Sequence, residues 1–465
     1  MFMTVSHASI ASAYLHPCPE PILFTDAQWI QAMLRFEAQL ALAQAECGLI
    51  PELAAQAITT ACAAIALDPI QLTTSARRTG ALGMAVVAPL QQWLQQHKPD
   101  ALPWLHWGTT TQDVVDTANA LLTADALQHL QHELKGLQQQ LCQLARQHAS
   151  TPILGRSLLQ PAQVTSFGLK CAQAAAALAR SRRQLTHQAQ LAICVQLGGA
   201  VGNAASYGTE AQNLERTLAR RLGIHANGYS WHTQRDAWMR LGMEVAVCGG
   251  SLAKLAQDWA LQSQYEVGEL SEAPRGRTSS AMPHKRNPVH CLQALTHTQA
   301  VPQLAATLLS CMPQAHERAL GEWQAEVVHW MQLWTHVHAA AAALHAASQG
   351  LQVNAARMQA HIDSLFGVVY SEAYVQLLSQ WLDKPKAQTL VAQCSEQSLQ
   401  NRSPLDQTLQ AALTAQGLAL KPQALAQLHA VTQSPQAVKA SALRCQEVLA
   451  ELGNNEPFNE REQTS

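Results

Sequence analysis

Charge is scarce in this chain. Only 13% of its 465 residues are Asp, Glu, Lys or Arg, and Gln and Ala fill the surface positions instead. The 30 basic and 32 acidic residues leave a formal net charge of −2, which gives no field to attract nucleic acid or an anionic membrane. No apolar run approaches the length of a membrane span. No Cys-x-x-Cys occurs, and the eleven cysteines are scattered singly and odd in number. That excludes a disulfide framework and thiolate zinc sites, and points to reduced, mostly buried thiols in the cytoplasm. The stretch Met1 to His16 lacks a basic segment followed by an apolar one, so no signal peptide is expected. His-Glu-x-x-His is absent too. The pairs His129/His132, His329/His336 and His338/His345 therefore read as solvated helix faces, and neither metal nor cofactor is expected. Finally, there is no convincing period-two alternation and no GxGxxG following a strand. The Gly-rich run Gln196 to Gly202 reads as a tight turn and not as a nucleotide loop.

What is present is helical periodicity. Hydrophobic residues make up 48% of the chain, enough for a large core. Trp29, Met33, Phe36, Leu40 and Ala43 repeat at helical steps between Asp26 and Ile50. A second helix is expected from Pro51 to Leu67, an irregular stretch from Thr73 to Met84, and a short helix from Pro89 to His97. From Gln112 to about His148 runs one long pattern, with Leu127, Leu130, Leu134, Leu137, Leu141 and Leu144 as a heptad-like stripe. A second stripe follows Arg235: Trp238, Leu241, Val245, Cys248, Leu252, Leu255 and Trp259. Segments Gln160–Ala192, Gly208–Leu222 and Val289–Leu309 also read as helices. The expectation is an all-α fold in three helical domains: 1–105, a central elongated long-helix bundle over 106–350, and 351–465.

Four polar clusters interrupt the pattern. Arg277 to Pro288 holds two hydroxyls, an imidazole, two cations and an amide, punctuated by two prolines, and is a loop. His106-Trp107-Gly108-Thr109-Thr110-Thr111-Gln112-Asp113 precedes the first long helix. Its threonines can cap that helix, and a helix N-terminus with hydroxyls also suits a carboxylate. Gly155 to Pro161 and Trp231 to Asp236 each read, taken alone, as capped helix starts.

The first loop resembles the signature of the fumarase/aspartase superfamily, Gly-Ser-x-x-Met-x-x-Lys-x-Asn. Here it is Thr278-Ser279-Ser280-Ala281-Met282-Pro283-His284-Lys285-Arg286-Asn287, with Thr278 in place of the Gly. Thr110 to Asp113 is similar to the superfamily's first conserved region and Gly155 to Gln160 to its second. Within the superfamily, four stretches are most similar to its bacterial cycloisomerase branch: His106 to Thr117, Gln196 to Ala200, Trp231 to Asp236, and His316 to Gly321. Many superfamily lyases place a catalytic His in the second region, where this chain has Leu158. The resemblance implies proton transfer next to a carboxylate through an aci-carboxylate. It implies Ser279, Lys285 and His106 as catalytic residues, with Ser279 moving the proton and Lys285 stabilising the dianion. It assigns Thr110, Thr111, Gln112, Gln234, Arg235, Asn287, Ser280 and Arg318 to substrate binding. It further implies a small tricarboxylate substrate and a homotetramer with shared active sites. Two alternatives stand beside it: another lyase of the superfamily, chiefly adenylosuccinate lyase, and a helical scaffold without activity.

Overall fold

The structure is a computed structural model, and it describes residues 22–273, 282, 284–418, 420–433 and 436–454. Among these the chain forms seventeen α-helices and four short strands, so it is all-α with two small β ribbons. The elements in order are α1 (Asp26–Glu46), α2 (Glu52–Ala64), α3 (Pro69–Thr79), α4 (Leu82–His97), α5 (Thr111–Gln147), β1 (Pro152–Ser157), β2 (Gln160–Ser166), α6 (Phe167–Ala192), α7 (Ala211–Leu222), α8 (Asp236–Gln262) and β3 (Leu270–Ser271). Then come α9 (Val289–Thr298), α10 (Val301–Cys311), α11 (Glu322–Gln349), β4 (Gln352–Val353), α12 (Ala355–Asp363), α13 (Ser371–Leu378), α14 (Lys384–Asn401), α15 (Leu405–Ala415), α16 (Pro422–Gln433) and α17 (Gln436–Asn454). No single helix among the described residues is long and apolar enough to cross a membrane.

The chain divides into two units. The first comprises the described residues within Met1–Lys135, Arg180–Lys254 and Leu292–Leu344; the second comprises those within Gly136–Ala179, Leu255–Cys291 and His345–Ser465. In the first, the apolar faces of α1, α2 and α4 pack with the start of α5 and with α7, around Phe36, Leu40, Ile58, Val86, Leu90 and Val114. In the second, one cluster joins α13 to α16 around Tyr374, Val391, Leu405 and Leu409, and a smaller one joins the ribbon residues Leu154 and Val164 to Ile362. The two stripes read from the sequence are buried apart from half-buried Leu127: Leu130, Leu134, Leu137, Leu141 and Leu144 on α5, and Trp238 through Trp259 on α8.

Local chemistry sets the boundaries. A capping box opens α1, with Thr25 Oγ1 accepting from the Gln28 N–H at 3.3 Å and Gln28 Oε1 accepting from the Thr25 N–H at 2.8 Å. The stretch 73–84, expected to be irregular, is helical apart from a break at Gly80 and Ala81. Asp68 caps α3 and Gly80 ends it in the left-handed region at φ +68°. Helix α4 then begins seven residues before Pro89 and carries that proline inside it. Burial of Ala85, Val86, Val87, Leu90 and Leu94 on one face outweighs the single hydrogen bond that Pro89 removes.

The larger correction concerns Gly155 to Pro161. It is not a helix start but part of an antiparallel hairpin, with Ser157 opposite Gln160 and a bulge between Gly155 and Arg156. Its two turn residues, Leu158 and Leu159, sit at φ +50° and +65°. A tight two-residue hairpin turn demands positive φ, and Asn or Gly usually supplies it. Leucine hid the turn from sequence inspection.

Candidate active site

In the first unit, two buried carboxylates organise the start of α5. Asp113 occupies its first turn and is fully buried. It accepts from Thr109 Oγ1 (3.0 Å) and the Thr110 N–H (3.1 Å), closing the helix N-terminus. It also accepts from the N–H groups of Gly198 (2.9 Å) and Gly199 (3.0 Å) and lies 2.7 Å from His232 Nε2. One carboxylate thus ties together three of the stretches singled out in the sequence. Gly198 has to be glycine, because a Cβ there would stand 2.5 Å from Ser230 Oγ and 2.8 Å from His232 Cε1.

Asp116, one turn further along, faces Arg235. The guanidinium makes five hydrogen bonds: to both Asp116 oxygens (2.9 and 3.3 Å), to Glu326 Oε2 (3.1 Å), to Glu326 Oε1, and to the Trp231 carbonyl (3.3 Å). Trp323 Nε1 and Gln112 Nε2 also donate to Asp116, at 2.8 and 3.2 Å. Arg235 stacks 4.4 Å over the Trp231 ring and is 1% exposed. Burial disfavours its charge, but Asp116 and Glu326 outweigh that and push its pKa further up. All five donors are spent, so Arg235 is no substrate ligand. The sequence reading placed it there because an Arg before a long helix carries no mark of burial. Gln112 is corrected in the same way. Its amide donates to Asp116 and to the His232 carbonyl (2.9 Å), and its Oε1 accepts from Arg318 Nε (2.7 Å).

Arg318 is the cation this arrangement presents. Nε rests on Gln112, and Nη1 donates to Thr110 Oγ1 (2.9 Å) and the Ala200 carbonyl (3.3 Å). Its loop is held in an unusual backbone, with His316 and Ala319 at φ +50° and +63°. Nη2 is not used by these contacts, and the fork geometry of a guanidinium suits a carboxylate there. Thr110 and Thr111 are partly exposed beside it and Gln234 is exposed. His106, at φ +58°, lies with Nδ1 2.6 Å from the Glu37 carboxylate. Asp113 and Asp116 stood within the stretches singled out in the sequence but were given no role, and Glu326 and Glu37 were passed over. Glu37 did leave a signal, since it falls on the buried stripe between Met33 and Leu40.

In the second unit, Lys285 and Asn287 line a cavity of about 1030 Å³ with Tyr265, Glu272, His284 and Arg286. The Glu272 carboxylate accepts from the His290 and Cys291 N–H groups (3.0 and 2.9 Å), capping α9 and fixing where the loop leaves the helix. Nearby, fully buried Glu269 binds Arg156 through two bonds (2.6 and 3.0 Å) and lies 2.9 Å from His361 Nδ1. Arg156 thereby anchors the hairpin that carries Leu158. Ser279 and Ser280 lie outside the described residues.

The first unit exposes Arg318 beside a helix N-terminus, and the second lines a cavity with Lys285 and Asn287; each arrangement, taken by itself, suits an anion. The sequence model of a lyase family matches residues 22–301, and the chain belongs to that family, within the fumarase/aspartase superfamily. It is an enzyme of the lyase and isomerase type. Among its relatives is the 3-carboxy-cis,cis-muconate cycloisomerase of Bradyrhizobium diazoefficiens, 37% identical over 83% of this chain and 86% of that one. The nitrosuccinate lyase of Streptomyces davaonensis is 35% identical over 85% of each chain. The crystal structure of the 3-carboxy-cis,cis-muconate lactonizing enzyme from Pseudomonas putida superposes with a TM-score of 0.86 at 32% identity, covering 96% of this chain and 99% of that one.

Proposed function

We propose that the enzyme interconverts 3-carboxy-cis,cis-muconate and 4-carboxymuconolactone, a step of protocatechuate catabolism. In the lactonising direction a carboxylate oxygen forms a bond to a double-bond carbon. The displaced electron pair collects on the neighbouring carbon as an aci-carboxylate, and one proton is taken up there. Ser279 transfers that proton, while Lys285 and Asn287 stabilise the dianion. Arg318, Thr110 and Thr111 bind a second carboxylate, and the active assembly is a homotetramer.

Leu158 is the observation that carries this reading. It occupies the position where many superfamily lyases have a catalytic His, and it stands at the hairpin tip, 97% exposed. When the lactone opens, the leaving group departs as a carboxylate and needs no acid. A lyase that expels an amine does. Similarity to the cycloisomerase supports the same choice, while similarity to nitrosuccinate lyase keeps a second reading alive, elimination from a substituted succinate. The test is a panel of 3-carboxy-cis,cis-muconate, nitrosuccinate and adenylosuccinate given to the purified enzyme. Turnover of the muconate with a lactone product supports the proposal. Turnover confined to either other compound overturns it.

A further inference from the structure

A trianionic substrate needs several cations, and Arg235, one of those the sequence offered with Arg318 and Lys285, is consumed by Asp116 and Glu326. The loop before α5 contains one more candidate, His106, four residues from the threonine on which Arg318 rests. We propose that Glu37 is a positioning residue that turns His106 into a cationic carboxylate-binding group: the buried acid holds Nδ1 and leaves Nε2–H to the substrate. This rests on the tricarboxylate reading above for the ligand.

The geometry leaves the ring little choice. Glu37 projects from α1 with its side chain 1% exposed, whereas the His106 side chain is 14% exposed, so the pair has a buried and an open end. The next residue is pinned on two sides, its carbonyl accepting from Gln44 Nε2 (2.9 Å) and Tyr207 OH (3.1 Å). With Nδ1–H given to Glu37, a neutral ring would show substrate a bare Nε2 lone pair, which repels a carboxylate. A protonated ring shows Nε2–H instead. Glu37 from α1, Asp113 from α5 and Tyr207 are the titratable groups around it. Burial disfavours the imidazolium, but Glu37 and then Asp113 outweigh it, and the pKa is raised above 6.5. Tyr207 is pushed well above its ordinary value by burial and by those same two acids, so it stays neutral.

The test uses Glu37→Gln and His106→Asn in the full-length enzyme. With 3-carboxy-cis,cis-muconate at about pH 7.5, Glu37→Gln is expected to raise KM about tenfold, the loss falling on KM more than on kcat. At about pH 5.5, where the ring is charged without help, its KM returns toward that of the wild type. His106→Asn raises KM at every pH. A KM profile of Glu37→Gln that overlays the wild type overturns the proposal, as does a loss confined to kcat. A readout without turnover separates this from the substrate assignment. The ¹³C-labelled histidine resonance missing in His106→Asn is expected to titrate about one unit lower in Glu37→Gln. Tricarballylate, used as a tricarboxylate probe, is expected to raise its pKa in the wild type. If the muconate is not turned over but both shifts appear, the substrate assignment fails and the dyad stands. If neither shift appears, the dyad fails.

Discussion

Exchanging Arg235 and Arg318 in turn separates scaffold from site. Arg235→Met removes the guanidinium that pairs with Asp116 and Glu326, both fully buried, and leaves two carboxylates confronting each other. Stripping one partner from a buried ionic network costs about 3–5 kcal/mol, because the remaining charge keeps its desolvation penalty without compensation. A marginal domain has only about 5–15 kcal/mol to lose, so the variant is expected to unfold at much lower urea or to accumulate as aggregate. Arg318→Ala removes hydrogen bonds from a half-buried guanidinium and is expected to cost about 1–2 kcal/mol of stability. Its effect falls on catalysis instead. Losing a charge-assisted contact worth about 1.5–3 kcal/mol lowers kcat/KM by roughly ten- to a hundredfold. The assay is urea unfolding followed by circular dichroism, paired with steady-state kinetics on the same preparations. A soluble Arg235→Met enzyme with an unchanged urea midpoint and a raised KM would refute the reasoning. So would an Arg318→Ala enzyme with wild-type kinetics.

Three further expectations follow from the same geometry. Gly198→Ala forces a methyl to within 2.5 Å of Ser230 Oγ, displacing the N–H pair on Asp113. About 1–3 kcal/mol of stability should be lost, read by thermal unfolding. Replacing Leu158-Leu159 by Asn-Gly relieves two residues held at positive φ and is expected to stabilise the protein by about 1–2 kcal/mol, measured in urea. The His106–Glu37 pair makes stability depend on pH. Because the folded pKa is raised above 6.5, its contribution is complete below the unfolded value and fades as pH rises through the folded one. Subtracting the Glu37→Gln unfolding curve from that of the wild type should isolate this dependence.

Much of the helical framework was legible in the sequence, because the two leucine-rich stripes recur at steps of three and four and lie buried where they were read. The hairpin was not legible. Its turn residues are leucines, and positive φ leaves no trace in an apolar side chain. Nor was helix α4 beyond its second half, since Pro89 reads as a boundary until the buried face around it is known. Motif residues could be located but not sorted. Arg235 and Arg318 look equivalent in a sequence; only the partners of each guanidinium distinguish a buried tie from an available ligand. The acids that make this distinction come from α5 and α11, far from Arg235 along the chain.

The proposed chemistry is tested most directly by following 3-carboxy-cis,cis-muconate absorbance with wild-type enzyme and Lys285→Met side by side, with lactone identified by NMR. The wild type is expected to consume the muconate and form 4-carboxymuconolactone. Lys285→Met should be slower by at least about a hundredfold with its helical spectrum intact. A wild type inert toward the muconate, or equal rates for the two proteins, would contradict the assignment.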